Sequence, residues 1–465
     1  MKTTWTLLLF LFCVSAFAQE PDNQPTNLQF QDIKAYAFSL SFSPSDAEKY
    51  LVIRSKAPLS FVPQDGQTYQ VGQGVGNGKV FSVMANTFMS IREVVANTKY
   101  YFTIFAYNGT GSNTAYKKNN PLTGSVTSGG KDIGTYYTGL NLAAPTFLED
   151  LKFRMNTGRD FQSYSNYDDL VIPNVLERDT INGQKVVNCQ YSGETKVYTP
   201  PFSFVPLDYS REHALCRSWM PTGGNTSTQE GADYHNLILT QQSKVNARRS
   251  NNPYGEVANV TYQYLEGKLG TDAGGNTVYE PQESIKGDAA RNIFYQIVCY
   301  NGLGGQNWGF DNLLSQAQDQ DLEVLLTWHI QDPVSPEEIA LHEYVYSLQK
   351  NRNPFIDYPD WVDCINFHNI TIKSGCLFTF GTEENTPGSF AASVYPNPAV
   401  RGSDIHIQAP VNGPLSWELL SMQGQTVQRG NGTLIANTSA WTPGFYILVL
   451  RNGENVRYNK ISIVN

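Results

Sequence analysis

The spacing of apolar residues changes twice along this 465-residue chain, and no single layer of secondary structure accommodates both changes. Towards each end apolar and polar residues alternate, the period of a half-buried strand; between residues 132 and 368 several stretches switch to helical spacing. The chain therefore reads as multidomain, with an α+β core between two β-rich modules.

Residues 24–127 carry alternating strands at Ala35–Phe42, Lys49–Arg54 and Tyr100–Tyr107, separated by turn clusters of Gly, Asn and Asp. That is the pattern of a small antiparallel β-sandwich, and no catalytic cluster falls within it. In residues 132–368 helices are predicted at Thr146–Met155, Asp288–Tyr300, Leu313–Gln318 and Pro336–Gln349. The last has a clear start, Ser335 as cap, Pro336 at the first helical position and two acids in the first turn. Residues 369–391 read as a linker and residues 392–465 return to short strands, such as Ile405–Ile407 and Phe445–Leu450.

Residues 1–18 have the pattern of an export signal: Lys2, an apolar run Leu7–Val14, then Ala16-Phe17-Ala18 before Gln19. The run is too short to span a bilayer, and nothing later reads as a membrane helix. A soluble, exported protein is expected. Removal of the signal takes Cys13 with it and leaves Cys189, Cys216, Cys299, Cys364 and Cys376, an odd number that excludes complete pairing within one chain. Cys364 and Cys376 are the closest pair, and buried free thiols are the alternative. The net charge of −9 excludes bulk electrostatic adhesion to nucleic acid but leaves room for a local basic groove.

All the recognisable chemistry lies in the core. Arg211-Glu212-His213 ends one predicted strand, Leu237–Leu239 form another, and a helical turn holds Asn246 before Arg248 and Arg249. A strand–strand–helix unit of this kind sets an imidazole against an amide oxygen. A neutral imidazole takes a proton from water near pH 7. Carboxylate and amide oxygens hold a hard divalent cation, and guanidinium groups clamp phosphate oxygens. Alone, each residue is an ordinary structural group; the ordered combination suits phosphodiester hydrolysis.

That combination resembles the bacterial endonuclease I family of the His-Me finger (ββα-metal) group. The resemblance runs through Arg211-Glu212-His213, Asp233–Leu237, Lys244–Asn251, Pro253–Val257, Glu280-Pro281, Lys286–Arg291, Trp328–Val334 and Asn351–Asp357, in family order. It implies a His-Me finger core, with His213 as general base and Glu212 and Asn246 as ligands of a divalent cation, Mg2+ first, with Ca2+ or Mn2+ able to serve. It also implies an arginine at the transition state, for which Arg248 and Arg249 are both candidates. The implied reaction is cleavage of DNA, and of RNA in many members, with little sequence preference and 5′-phosphate products. Ala214-Leu215-Cys216 and Ile238-Leu239-Thr240 depart from the family's pattern without removing a ligand or the base. His235 and Asn236 are expected to brace the unit by hydrogen bonds, His329 and Asn351–Asp357 to pack and cap the helical half, and His342 to lie on a helix surface.

Lys99–Asn119 is similar to the final strands of a fibronectin type III-like module. Val394–Pro398, Leu420–Val427 and Pro443–Leu448 resemble the C-terminal sorting domain of the type IX secretion system, which implies that machinery as a partner and a place outside the outer membrane. The competing reading is a surface adhesin whose nuclease-like domain binds nucleic acid without cutting it, or whose fibronectin-like module binds polysaccharide or host protein. Oligomeric state has no signature in the sequence.

Overall fold

The computed structural model describes residues 18–314, 317, 319–374, 378, 392–397, 399–409, 414–421, 426–436, 438–452 and 455–464. Most of the export signal, Cys376, three positions of the helix predicted at Leu313–Gln318 and most of the linker lie outside them. The chain divides into two compact units, meeting at residues 379 and 380. No helix among the described residues is long and apolar enough to cross a membrane.

The first unit opens with a β-sandwich. One sheet orders Thr26–Gln31, Phe38–Ser43 and Phe88–Ile91; the other orders Gly74–Val75, Gly78–Ser82, Lys49–Ser55, Lys99–Asn108 and Ala115–Tyr116, with Leu122–Thr127 also paired to Lys99–Asn108. This three-on-many antiparallel arrangement is fibronectin type III-like. The second strand begins at Phe38 rather than at Ala35, because Asp32 adopts φ 52° and Lys34 N–H donates to Ala37 O in a turn. From there Phe38, Leu40 and Phe42 point inward, every second residue, against Ile91, Phe102 and Ile104.

The sandwich is seated firmly on the core that follows it. Gly183 N–H donates to Val71 O at 2.7 Å, and a Cβ on Gly72 would lie 2.5 Å from Thr180 O, so the close approach requires glycine there. Glu93 of the sandwich is nearly buried and accepts from its own Arg54 and from Lys185 and Thr180 of the core.

The core is organised around Lys286–Tyr300, in which thirteen of fifteen residues are buried, Lys286, Arg291 and Gln296 among them. The helices Phe147–Asn156 and Leu322–Gln331 pack on it. Pro336–Gln349 starts as predicted, with Ser335 Oγ accepting from Glu338 N–H. His342 is not on a helix surface. It is buried and its Nε2 meets Asp357 Oδ1 at 3.2 Å, because Pro354–Asp357 folds back over the helix. Cys189, Cys216 and Cys299 are buried free thiols, and Cys364 is disulfide-bonded.

The second unit contains a five-stranded sheet, ordered Ala399–Val400, Asn455–Val464, Gly444–Asn452, Ser416–Ser421 and Thr426–Asn431, and a three-stranded sheet of Ser393–Tyr395, Ile405–Gln408 and Leu434–Ile435. Leu419, Leu448, Ile461, Ile405 and Ile435 fill its core.

Candidate active site

Tyr209–His213 pairs antiparallel with Leu237–Gln241, Glu212 opposite Ile238 and His213 opposite Leu237. The chain then enters a continuous helical run, Gln242–Asn246 followed by Ala247–Arg249, with Gln241 accepting from Lys244 N–H as its cap. Strand, strand and helical turn thus place Asn246 against Glu212, and His213 is the next residue of the same strand.

His213 is buried, and its Nε2 lies 2.8 Å from the carbonyl oxygen of Gly231. A carbonyl only accepts, so Nε2 carries the hydrogen and Nδ1 keeps its lone pair. Burial lowers the imidazole to about 4, opposed by the Gly231 hydrogen bond and reinforced by Arg217, Arg249 and Arg211, so the ring is a neutral base at physiological pH. Tyr164 stacks on it, centroids 5.5 Å apart and 7° from parallel, and the Arg211 guanidinium lies 4.4 Å from the same Tyr164 ring and 4.5 Å from that of Phe204.

The carbonyl that orients His213 is itself fixed. Glu230 O accepts from Gln296 Nε2 at 2.7 Å and Gln229 O from Tyr300 Oη at 3.1 Å, both on the central helix. Asp233 is clamped by Arg159 at 2.7 Å and by the hydroxyls of Tyr295 and Tyr300.

Glu212 faces two partners. Arg249 Nη1 donates to Oε1 at 3.1 Å and the Asn246 amide donates to Oε2. Burial raises the carboxyl to about 7, against the pull of Arg249 and Arg217. Arg249 is wholly buried, bonded also to Ala214 O and Ser250 O and held between Trp219 and Tyr254. Arg248 is exposed and lies over Tyr262. The two arginines are neighbours in sequence but about 100° apart around the helix. The sequence holds a signal for this: Val245, fully buried, lies four residues before Arg249 and marks its face as the inner one.

The donor set fits a hard divalent cation: one carboxylate and one amide whose oxygen and nitrogen exchange places by a simple flip, set side by side on rigid elements. Another grouping, His342, Glu343 and Asp357, has the composition of a metal site. Arg352 already fills it, with Nε and Nη2 each 2.7 Å from Asp357 and further bonds to Glu343.

His235 and Asn236 act as braces. His235 Nε2 meets Asn351 O at 3.1 Å, and the Asn236 side chain bonds both N–H and O of Leu215, closing the loop after His213. Three residues near the base escaped sequence reasoning. Tyr164 is distant in the chain, Gly231 contributes a backbone atom, and Arg217 is an isolated, exposed cation whose charge is felt by both His213 and Glu212.

Residues 160–360 match the family described as Endonuclease I, and residues 393–464 match the Secretion system C-terminal sorting domain. The chain is 31% identical over 247 residues to an extracellular ribonuclease of Bacillus amyloliquefaciens, a match covering 50% of this chain and 78% of that protein. It is 31% identical over 245 residues to an extracellular ribonuclease of Bacillus subtilis (strain 168), with the same coverage of each. The solved FN5 domain of Drosophila Lar is similar at 13% identity and a TM-score of 0.17, covering 24% of this chain and 99% of that one.

Proposed function

Because this chain belongs to the endonuclease I family and is a secreted nuclease, we propose that it hydrolyses both DNA and RNA with water as the nucleophile, His213 as general base and a divalent cation on Glu212 and Asn246. Its C-terminal sorting domain directs it through type IX secretion to the cell surface or beyond. The observation that carries the reading is the fixed imidazole: Gly231 O holds Nε2–H, which leaves Nδ1 to take a proton, while Glu212, the residue before it on the strand, is bonded to Asn246.

The strand pair and helical run act as a His-Me finger. Nδ1 of His213 removes a proton from water as its oxygen bonds to phosphorus; the bond from phosphorus to O3′ breaks, leaving a 5′-phosphate and a 3′-hydroxyl once the departing oxygen is protonated. The chemistry supplied by Mg2+, Mn2+ or Ca2+, when bound, is stabilisation of charge on the phosphate and the leaving oxygen. Arg249 positions Glu212 by an ion pair, and Arg217 and Arg211 offer positive charge to phosphate oxygens. Contacts of this kind address phosphates, so little sequence preference follows. RNA enters the proposal through the relatives, which are named ribonucleases.

Plasmid DNA and a defined RNA, each incubated with the full chain in Mg2+ or EDTA, test this directly. Both are cut only with the metal, with 5′-phosphate ends, and His213→Ala lowers kcat by about 10²- to 10⁴-fold. Cyclic 2′,3′-phosphate ends on RNA with intact DNA overturn the water mechanism; undiminished His213→Ala activity overturns the base.

A further inference from the structure

Two cations on the helical run stand apart from the reacting centre. Lys244 Nζ lies 4.5 Å from the ring centre of Tyr264, and the Arg248 guanidinium 4.6 Å from that of Tyr262. Residues four apart occupy one face of a helix, and residues two apart one face of a strand, so two regular elements meet along a seam of paired cations and rings. A bulge between Val260 and Tyr262 breaks the register just before the rings, a device that re-aims side chains beside functional sites. Tyr264 Oη donates to Glu194 at 2.7 Å and is thereby fixed.

Both cations are exposed, and neither has a carboxylate partner among the described residues. The rings hold the charged groups in place without neutralising them. Asn246 lies between them in the same helical run and turns the other way, to Glu212, so one short run carries both the cation seam and a residue of the candidate site.

We propose that the Lys244–Tyr264 and Arg248–Tyr262 pairs form a track that grips successive backbone phosphates of the substrate strand on one side of the scissile bond. Arg248 then serves the strand rather than the reacting phosphorus. The inference rests on the nuclease reading of the adjoining site for its substrate. Cations held over rings before the strand arrives lose little conformational freedom on binding, and they contact backbone rather than bases.

Binding of a short fluorescein-labelled oligothymidylate to the full chain in EDTA, followed by anisotropy, tests the track without cleavage. Each phosphate contact on a single strand adds about 0.7 to the slope of log affinity against log salt, so Lys244→Ala with Arg248→Ala removes about 1.4 of it. Between about 50 and 200 mM salt the wild type then loses about sevenfold more affinity than the double variant. Tyr262→Phe binds as the wild type does, and Tyr262→Leu binds more weakly. Equal salt slopes in folded proteins overturn the track, and equal binding by the Phe and Leu variants overturns the part given to the ring. A chain that cuts neither nucleic acid in Mg2+ while the slopes differ overturns the catalytic reading and leaves the track; cleavage with equal slopes does the reverse.

Discussion

Gly231→Ala isolates the orientation of the base from the base itself. A Cβ at Gly231 would lie 1.9 Å from the Asn225 carbonyl oxygen and 2.5 Å from its carbon, whereas real Cβ contacts do not fall below 3.0 Å, so the segments must part by about 1.1 Å. Neither side yields freely. Glu230 is tied to Gln296 through its carbonyl and to Thr222 through its carboxylate at 2.8 Å. Asn225 O accepts from Thr228 Oγ1 at 2.7 Å, and a Cβ on the adjacent Gly224 would already press on Arg217 O at 2.8 Å. Sharing the movement displaces the Gly231 carbonyl by roughly half an ångström, and His213, hydrogen-bonded to it at 2.8 Å, follows. A misplacement of about 1 Å costs on the order of 100-fold in rate, so kcat falls about 10- to 100-fold, with about 1–3 kcal/mol of stability lost to overpacking.

The assay is steady-state cleavage of a quenched fluorescent oligonucleotide, with kcat, KM and half-saturating Mg2+ measured separately and folding checked by circular dichroism. Neither Glu212 nor Asn246 is hydrogen-bonded to residues 225–231, so the Mg2+ requirement stays near that of the wild type. A folded Gly231→Ala variant with kcat within about twofold of wild type refutes the claim that this carbonyl sets the imidazole.

Asn246→Ala removes one of the two oxygen donors and shifts the Mg2+ activation curve to higher concentration, with excess Mg2+ restoring much of the rate; an unmoved curve counts against the ligand. Arg352→Met leaves the buried Asp357 and Glu343 without their cation and costs about 3–5 kcal/mol in chemical denaturation, a loss below about 1 kcal/mol being incompatible with the network described. Glu177 is buried, and burial, with Glu93 adding to it and Lys185 opposing, raises its carboxyl from 4.5 to about 7. Its contribution to stability is therefore complete below pH 4.5 and lost as pH rises through about 7. Glu177→Gln melts higher than wild type at alkaline pH and level with it at acid pH; a difference independent of pH refutes the assignment.

Parts of this molecule were legible because their cause is local. The switch from alternation at Tyr209–His213 to a helical run after Gln241 is written in residue period, and the start of Pro336–Gln349 in its cap. The hairpin and the helical turn after it followed from such features, and the ordered motif pointed to Glu212 and Asn246, which they set in contact. The remaining determinants are contacts across long stretches of chain. Glu93 reads as an ordinary surface acid until Lys185 and Thr180 arrive from the next module. His342 reads as a helix-surface residue until the turn carrying Asp357 covers it.

The paired arginines show how much of that boundary is one of method rather than of information. Arg248-Arg249 looks like a single basic patch, and as a patch it leaves the choice of phosphate clamp open. Helical geometry separates the two: with Val245 turned inward, Arg249 must be inward as well, and an inward guanidinium needs a carboxylate. Glu212 supplies it at 3.1 Å. Lys244 and Arg248 are then left on an outward face, with charge that no acid among the described residues neutralises. The tyrosines that hold them are not recoverable this way, because the register of Asn259–Tyr264 depends on a bulge that no residue type announces.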